Sequence, residues 1–138
     1  MVKLIIGKKG SGKTKKLIDA ILAANEKSAG NVVCVEKGPA LTYDIPNSVR
    51  LVNTEEYEIS GYDMFLGLLS GICASNYDVT DVFVDATLRI GTRDYFELAS
   101  FIKKVKTLAE KTETEFTFTV SCDECELPTE IFDYAAKA

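Results

Sequence analysis

Short apolar runs alternate along the chain with stretches of helical period. Leu4-Ile5-Ile6, closed by Gly7, predicts a buried strand. Residues 13–26 then change period, with Leu17, Ile18, Ile21 and Leu22 on one face and Lys15, Lys16, Asp19 and Glu26 on the other, which predicts an amphipathic helix. Ser28-Ala29-Gly30-Asn31 is a turn cluster. Val32 to Val35 predicts a second strand ending at Glu36, broken by Gly38-Pro39. Residues 40–48 hold Pro46 and Asn47 and predict a connecting loop, and Val49 to Val52 predicts a more polar third strand at a sheet edge.

The second half repeats the alternation. Residues 61–75 predict a helix with Tyr62, Phe65, Leu66, Leu69, Ile72 and Cys73 facing in. Gly67 and Gly71 lie four apart, so one side of that helix permits close approach of another backbone. Val82-Phe83-Val84 predicts a fourth strand that ends at Asp85. Residues 93–110 predict a helix with Phe96, Ala99, Ile102, Val105 and Ala109 along a stripe that Tyr95, Leu98 and Phe101 widen. Phe116, Phe118 and Val120 alternate with Thr117 and Thr119, a fifth strand, and Pro128 suits the first turn of a last short helix through Ala135. Strands alternating with helices predict an α/β fold, a three-layer α/β/α domain with a mostly parallel five-stranded sheet. The chain has 138 residues and no internal repeat, low-complexity stretch or long linker, so residues 1–138 are expected to form one domain.

Charge changes the picture in two ways. The net charge is −5, which disfavours a general nucleic-acid ligand, because such binding needs a basic field to displace phosphate counterions. Yet residues 1–16 hold six lysines and no acid, so positive charge gathers where the chain begins. The chain contains no histidine, which excludes imidazole proton transfer and every His-containing metal site. No segment approaches the ~20 apolar residues of a membrane span, and Met1 to Ile6 is too short an apolar run for a secretory segment. A cytoplasmic location is expected, with Cys34, Cys73, Cys122 and Cys125 as reduced thiols. Cys122 and Cys125 form a lone C-x-x-C, whereas a zinc ribbon needs two such pairs.

Gly7-Lys8-Lys9-Gly10-Ser11-Gly12-Lys13-Thr14 fits G-x-x-x-x-G-K-S/T, directly after a predicted strand and directly before a predicted helix. In this context the segment resembles the Walker A loop of the P-loop nucleoside triphosphatases. The physical reasons are specific. Phosphates need many amide donors at short range backed by a helix N-terminus. Glycines let the backbone curl with its amides inward. An ammonium at Lys13 serves the outer phosphates, and a hydroxyl at Thr14 suits Mg²⁺, which favours octahedral oxygen ligands. Lys8 and Lys9 supply a local field that attracts anions. The resemblance implies that Gly7, Gly10, Ser11, Gly12, Lys13, Thr14 and Lys15 bind the nucleotide, with ATP and Mg²⁺ as the cofactors.

Asp81-Val82-Phe83-Val84-Asp85 resembles a Walker B strand, which would make Asp85 the metal-side acid beside Thr14 and Lys13. Many hydrolysing members place Glu directly after that Asp, and this chain has Ala86 there. Glu36, at the end of the neighbouring strand, is then the candidate general base, and Thr87 is a weaker water holder. The polar end of the fifth strand, Ser121-Cys122, resembles the phosphate-sensing position of the additional-strand branch. That favours a fifth strand lying between the loop strand and the Asp85 strand over the order in which those two are neighbours. The N-K-x-D guanine motif is absent, which favours ATP over GTP. The only arginines are Arg50, Arg89 and Arg93, and the last two follow Asp85. The full chain also resembles short bacterial P-loop proteins, some carrying a twitching-motility ATPase label. That label fits poorly, because the pilus-retraction ATPases are longer and depend on a histidine box.

The expected function is ATP binding with Mg²⁺-dependent hydrolysis coupled to an unknown protein partner. The alternatives are a nucleotide-dependent binding or regulatory module with little hydrolysis, and a small-molecule kinase.

Overall fold

The computed structural model describes residues 1–138. Six strands build one sheet: β1 (Val2–Gly7), β2 (Asn31–Glu36), β3 (Arg50–Asn53), β4 (Val79–Val84), β5 (Glu115–Ser121) and β6 (Ala136–Lys137). Their order is β3-β2-β4-β5-β1-β6, and every pairing is parallel. Between them lie α1 (Lys13–Lys27), α2 (Tyr62–Ser75), the single turn α3 (Thr87–Ile90) and α4 (Tyr95–Thr112). The fold is the expected α/β class in three layers. Parallel strands need crossover connections, and these put helices on both faces of the sheet.

The two faces are filled differently. On one, α1 buries Leu17 and Ile21 against Ile5, Val32, Cys34 and Phe83, and the loop after β2 adds Leu41, Ile45 and Val49. On the other, α2 and α4 cover the larger core. Phe101 of α4 is its hub, with ring centroids 5.0 Å from Tyr62, 4.8 Å from Phe65 and 5.8 Å from Phe118. Such pairs contribute about 0.5–1.5 kcal/mol each beyond the area they bury.

Several sequence expectations are corrected here. The expected last short helix is present as a five-residue 3-10 helix at Thr129–Asp133 that follows Pro128, and beyond it the sheet gains an unexpected sixth strand, β6, laid along the free edge of β1. Ala138 N donates to Leu4 O at 2.8 Å, closing backbone groups that an open edge would leave to water. Phe96 is 73% exposed and lies off the α4 core stripe. The helix begins only at Tyr95, capped by the Asp94 carboxylate that accepts from the amides of Phe96 and Glu97. Leu98, two residues on in the same turn, is fully buried, so Phe96, about 200° away round the helix, points to the outer face of α4. Leu22 is 40% exposed for a similar reason, since α1 meets the sheet through Leu17 and Ile21.

Two ordering predictions stand. β3 is an edge strand, and β5 runs between β1 and β4. The loops after β1, β4 and β5 therefore meet at one edge of the sheet, where parallel α/β sheets bind ligands. No helix of the chain is long and apolar enough to cross a membrane.

Candidate functional site

A cleft of about 830 Å³ opens at this carboxyl edge. One wall is the loop between β1 and α1, the second is Asp85 to Arg93, and the third is Ser121 to Glu126. Five bases line it (Lys8, Lys9, Lys13, Arg89 and Arg93) against three acids (Asp85, Asp123 and Glu126). The cleft is thus locally positive in a chain of net charge −5.

The loop wall follows from its glycines. Gly10 and Gly12 sit at φ 84° and 86°, the left-handed region that costs a residue with a Cβ about 1–2 kcal/mol. At Gly7 the constraint is space, because a Cβ there would collide with the Ser11 hydroxyl. Ser11 N donates to Lys8 O at 3.1 Å and closes the turn. The amides of Gly10, Gly12, Lys13, Thr14 and Lys15 donate to no other group of the chain. Helix α1 has no side-chain N-cap and no acid in its first turn, so its positive dipole end is left uncompensated.

Lys13 is 9% exposed, and its ammonium donates to Lys8 O at 2.9 Å. It is folded into the loop rather than held out in solvent. Thr14 Oγ1 donates to Asp85 Oδ2 at 3.4 Å, which brings the two expected metal-side oxygens together. The Lys15 side chain points away from the cleft and pairs with Asp19 at 3.7 Å, so only its amide belongs to the loop.

Asp85 is fixed from behind. Its amide donates to Val35 O at 2.9 Å. Thr119 Oγ1 donates to its Oδ1 at 2.6 Å and accepts from Ala86 N at 3.0 Å. Thr119 is a residue the sequence reading missed as part of the site. The register offers the reason for its place: Val84 pairs with Phe118, so Asp85 and Thr119 are the next pair along. Ala86 lines the cleft in the left-handed region, at φ 60°.

Glu36 is placed elsewhere. It is 2% exposed, is absent from the cleft lining, and accepts from Leu41 N with Oε1 at 3.1 Å and Oε2 at 3.3 Å. Burial raises its carboxyl above the ordinary value, and the Asp85 carboxylate adds to that rise. Its observed work is to hold the loop after β2, together with Asn53, whose carboxamide oxygen accepts from Gly38 N. Thr87 is fully buried, with its hydroxyl unpartnered and off the cleft wall.

The remaining rim is tied across the mouth. Lys8 pairs with Asp123 at 3.2 Å, an exposed contact of the kind that contributes about 0–1 kcal/mol. Arg93 donates to Ser121 O at 3.0 Å. Burial pushes the Cys122 thiol up to about 11, so it stays neutral near pH 7, and Cys125 is exposed. No cluster of three or more Cys, Asp or Glu side chains is arranged to hold a metal ion. The Thr14–Asp85 pair supplies two hard oxygen donors facing open space. That set suits a cation such as Mg²⁺, which keeps several waters and takes its other ligands from phosphate oxygens. The site can therefore receive a polyanion on amides and lysine with a divalent cation beside it. Comparison with known proteins finds no family model that matches the chain and no curated protein that matches its sequence.

Proposed function

We propose that this chain binds Mg²⁺·ATP as a P-loop protein. The observation that carries the reading is the set of unpaired amides at Gly10, Gly12, Lys13, Thr14 and Lys15 at the bare N-terminus of α1, in the same loop as the Lys13 ammonium. In an anion-free loop these donors are satisfied only by water. A row of phosphate oxygens would satisfy them together, at the positive end of the helix dipole. Lys13 then exchanges the neutral Lys8 carbonyl for anionic phosphate oxygens, so that donor and acceptor are both charged.

Thr14 and Asp85 would hold the Mg²⁺, Asp85 through the orientation that Thr119 imposes. The ion would neutralise phosphate charge when bound. ATP is favoured over GTP because no guanine-reading motif is present. Arg89 and Arg93 add positive charge on the wall opposite the loop.

Two observations favour slow hydrolysis by the isolated chain. Ala86 stands at the cleft wall where a water-orienting carboxylate would serve, and Glu36 is buried, outside the cleft lining, with its carboxylate held by the Leu41 amide. The reading is thus a nucleotide-dependent module whose turnover rises only when a partner protein supplies the missing group. Steady-state turnover of wild type and Glu36→Gln tests this. Slow and equal rates support it, whereas a 10²–10⁴-fold loss in the variant assigns general-base work to Glu36 and restores the autonomous ATPase reading.

A further inference from the structure

The chain that leaves β5 forms the third wall of the cleft, and only its ends are anchored in the core. Cys122 and Leu127 are buried, at 4% and 5% exposure. The four residues between them, Asp123 to Glu126, take no part in the core, and three of them are acids. Their ties are polar and reach three different elements. Asp123 pairs with Lys8 of the loop at 3.2 Å, Glu124 pairs with Lys137 of β6 at 2.7 Å, and Glu126 Oε2 accepts from the Tyr95 hydroxyl of α4 at 2.8 Å.

Of the four ion pairs in the chain, only Lys8–Asp123 has both members in the cleft lining. It spans the mouth from the first wall to the third. Lys8 is the pivot of the ligand-free loop. Its carbonyl accepts from the Lys13 ammonium at 2.9 Å and from Ser11 N at 3.1 Å, while its own ammonium holds Asp123. Both cations are thus engaged by acceptors of the chain itself. The Asp123 side chain does not cap the 3-10 turn at Glu124–Glu126, so the pair with Lys8 is its contribution to the wall.

We propose that Lys8 and Asp123 form an internal latch that phosphate opens. In the ligand-free cleft Asp123 engages the cation that a bound polyphosphate would draw to itself. Once Lys8 turns to phosphate oxygens, the Asp123 carboxylate faces like charge with no cation between, and the segment Asp123–Glu126 is released into solvent. No apolar burial within the segment resists this, which is the condition for a local opening. The inference rests on the nucleotide reading above and adds to it the element whose freedom changes with occupancy. Coupling of this kind is reciprocal: the factor by which nucleotide frees the segment equals the factor by which freeing it improves nucleotide affinity.

The test combines calorimetric titration of Mg²⁺·ATP with amide exchange, resolved by NMR, at Glu126 and Leu127. These amides donate to Asp123 O and Glu124 O and close the turn within the segment. An exposed pair of this kind supports changes of about two- to fivefold. Mg²⁺·ATP is expected to speed exchange at both amides in wild type by that factor, whereas a ligand ordinarily slows it. Asp123→Ala is expected to exchange as fast without ligand, to show no further rise with it, and to bind Mg²⁺·ATP more tightly by the same factor. Lys8→Ala is expected to match that ligand-free exchange, and adding Asp123→Ala to it should change neither exchange nor affinity. Heat of binding in wild type with exchange unchanged or slowed overturns the latch and leaves the nucleotide reading standing. So does an affinity gain from Asp123→Ala that persists in the Lys8→Ala background, because plain charge repulsion would then account for it. No heat of binding in wild type removes the nucleotide reading, and the phosphate-driven release falls with it.

Discussion

Thr119 holds Asp85 by a 2.6 Å hydrogen bond from its hydroxyl to Oδ1, while the same hydroxyl accepts the amide of Ala86 at 3.0 Å. One buried side chain on β5 thereby sets both the carboxylate and the left-handed turn that follows it. Thr119→Val keeps the shape, deletes the donor and leaves the part-buried amide of Ala86 without its partner. The expected loss of stability is about 1–3 kcal/mol, with weaker Mg²⁺ dependence of ATP binding because Asp85 is released. Thr119→Ser should retain both properties. Urea denaturation and calorimetric titrations at several Mg²⁺ concentrations measure the two effects separately.

Ala86 occupies the left-handed region at φ 60°, where a Cβ is strained. Ala86→Gly relieves that strain and pays back part of the gain through greater freedom in the unfolded chain. The net expectation is a stabilisation of about 0.5–1 kcal/mol. Chemical denaturation of the two proteins side by side checks it, and a less stable variant would remove the strain argument.

Glu36 gives the chain a defined pH response. Its carboxyl lies above the ordinary value of 4.5 because it is buried beside Leu41 and near Asp85. Between the ordinary and the raised value the folded protein binds more protons than the unfolded chain, so this group's contribution to stability falls as pH rises through that interval. Glu36→Gln keeps an acceptor for the Leu41 amide and cannot ionise. The variant should be more stable than wild type at neutral pH, and the gap should narrow as pH falls toward 4.5. Denaturation midpoints across a pH series decide this. A variant less stable than wild type at neutral pH would show that the ionised carboxylate is net favourable.

Much of the fold was legible in the sequence because period, glycine and strand length act locally. Gly7 to Thr14 sits between a strand and a helix as its pattern requires, and Asp85 ends β4 beside it. What escaped depends on contacts made far along the chain. Thr119 alternates with Phe118 and Val120 and reads as the polar face of a half-exposed strand. It is instead 2% exposed, because β5 lies inside the sheet with α1 covering that face. Glu36 ends its strand as expected, but only the tertiary path of the following loop shows that Leu41 seals it in. β6 is two residues long and has no period to read.

Nucleotide binding should appear as thermal protection. A ligand that binds only the folded state stabilises it by about 2.7 kcal/mol at a hundredfold excess over its dissociation constant. Melting curves with Mg²⁺·ATP should therefore rise with nucleotide concentration and respond less to ATP without Mg²⁺. Curves that stay flat through millimolar Mg²⁺·ATP would be incompatible with a binding site of useful affinity.

Calorimetric titration of Mg²⁺·ATP into wild type and Lys13→Ala tests the central claim most directly. The substitution removes the ammonium bonded to Lys8 O and leaves the loop glycines and the α1 terminus in place. Charge-assisted hydrogen bonds contribute about 1.5–3 kcal/mol each, so the affinity should fall by about 10²-fold while circular dichroism shows an intact fold. Saturable binding by wild type, with that loss in the variant, is the predicted result. No heat of binding to wild type, or equal affinity in the two proteins, would contradict it.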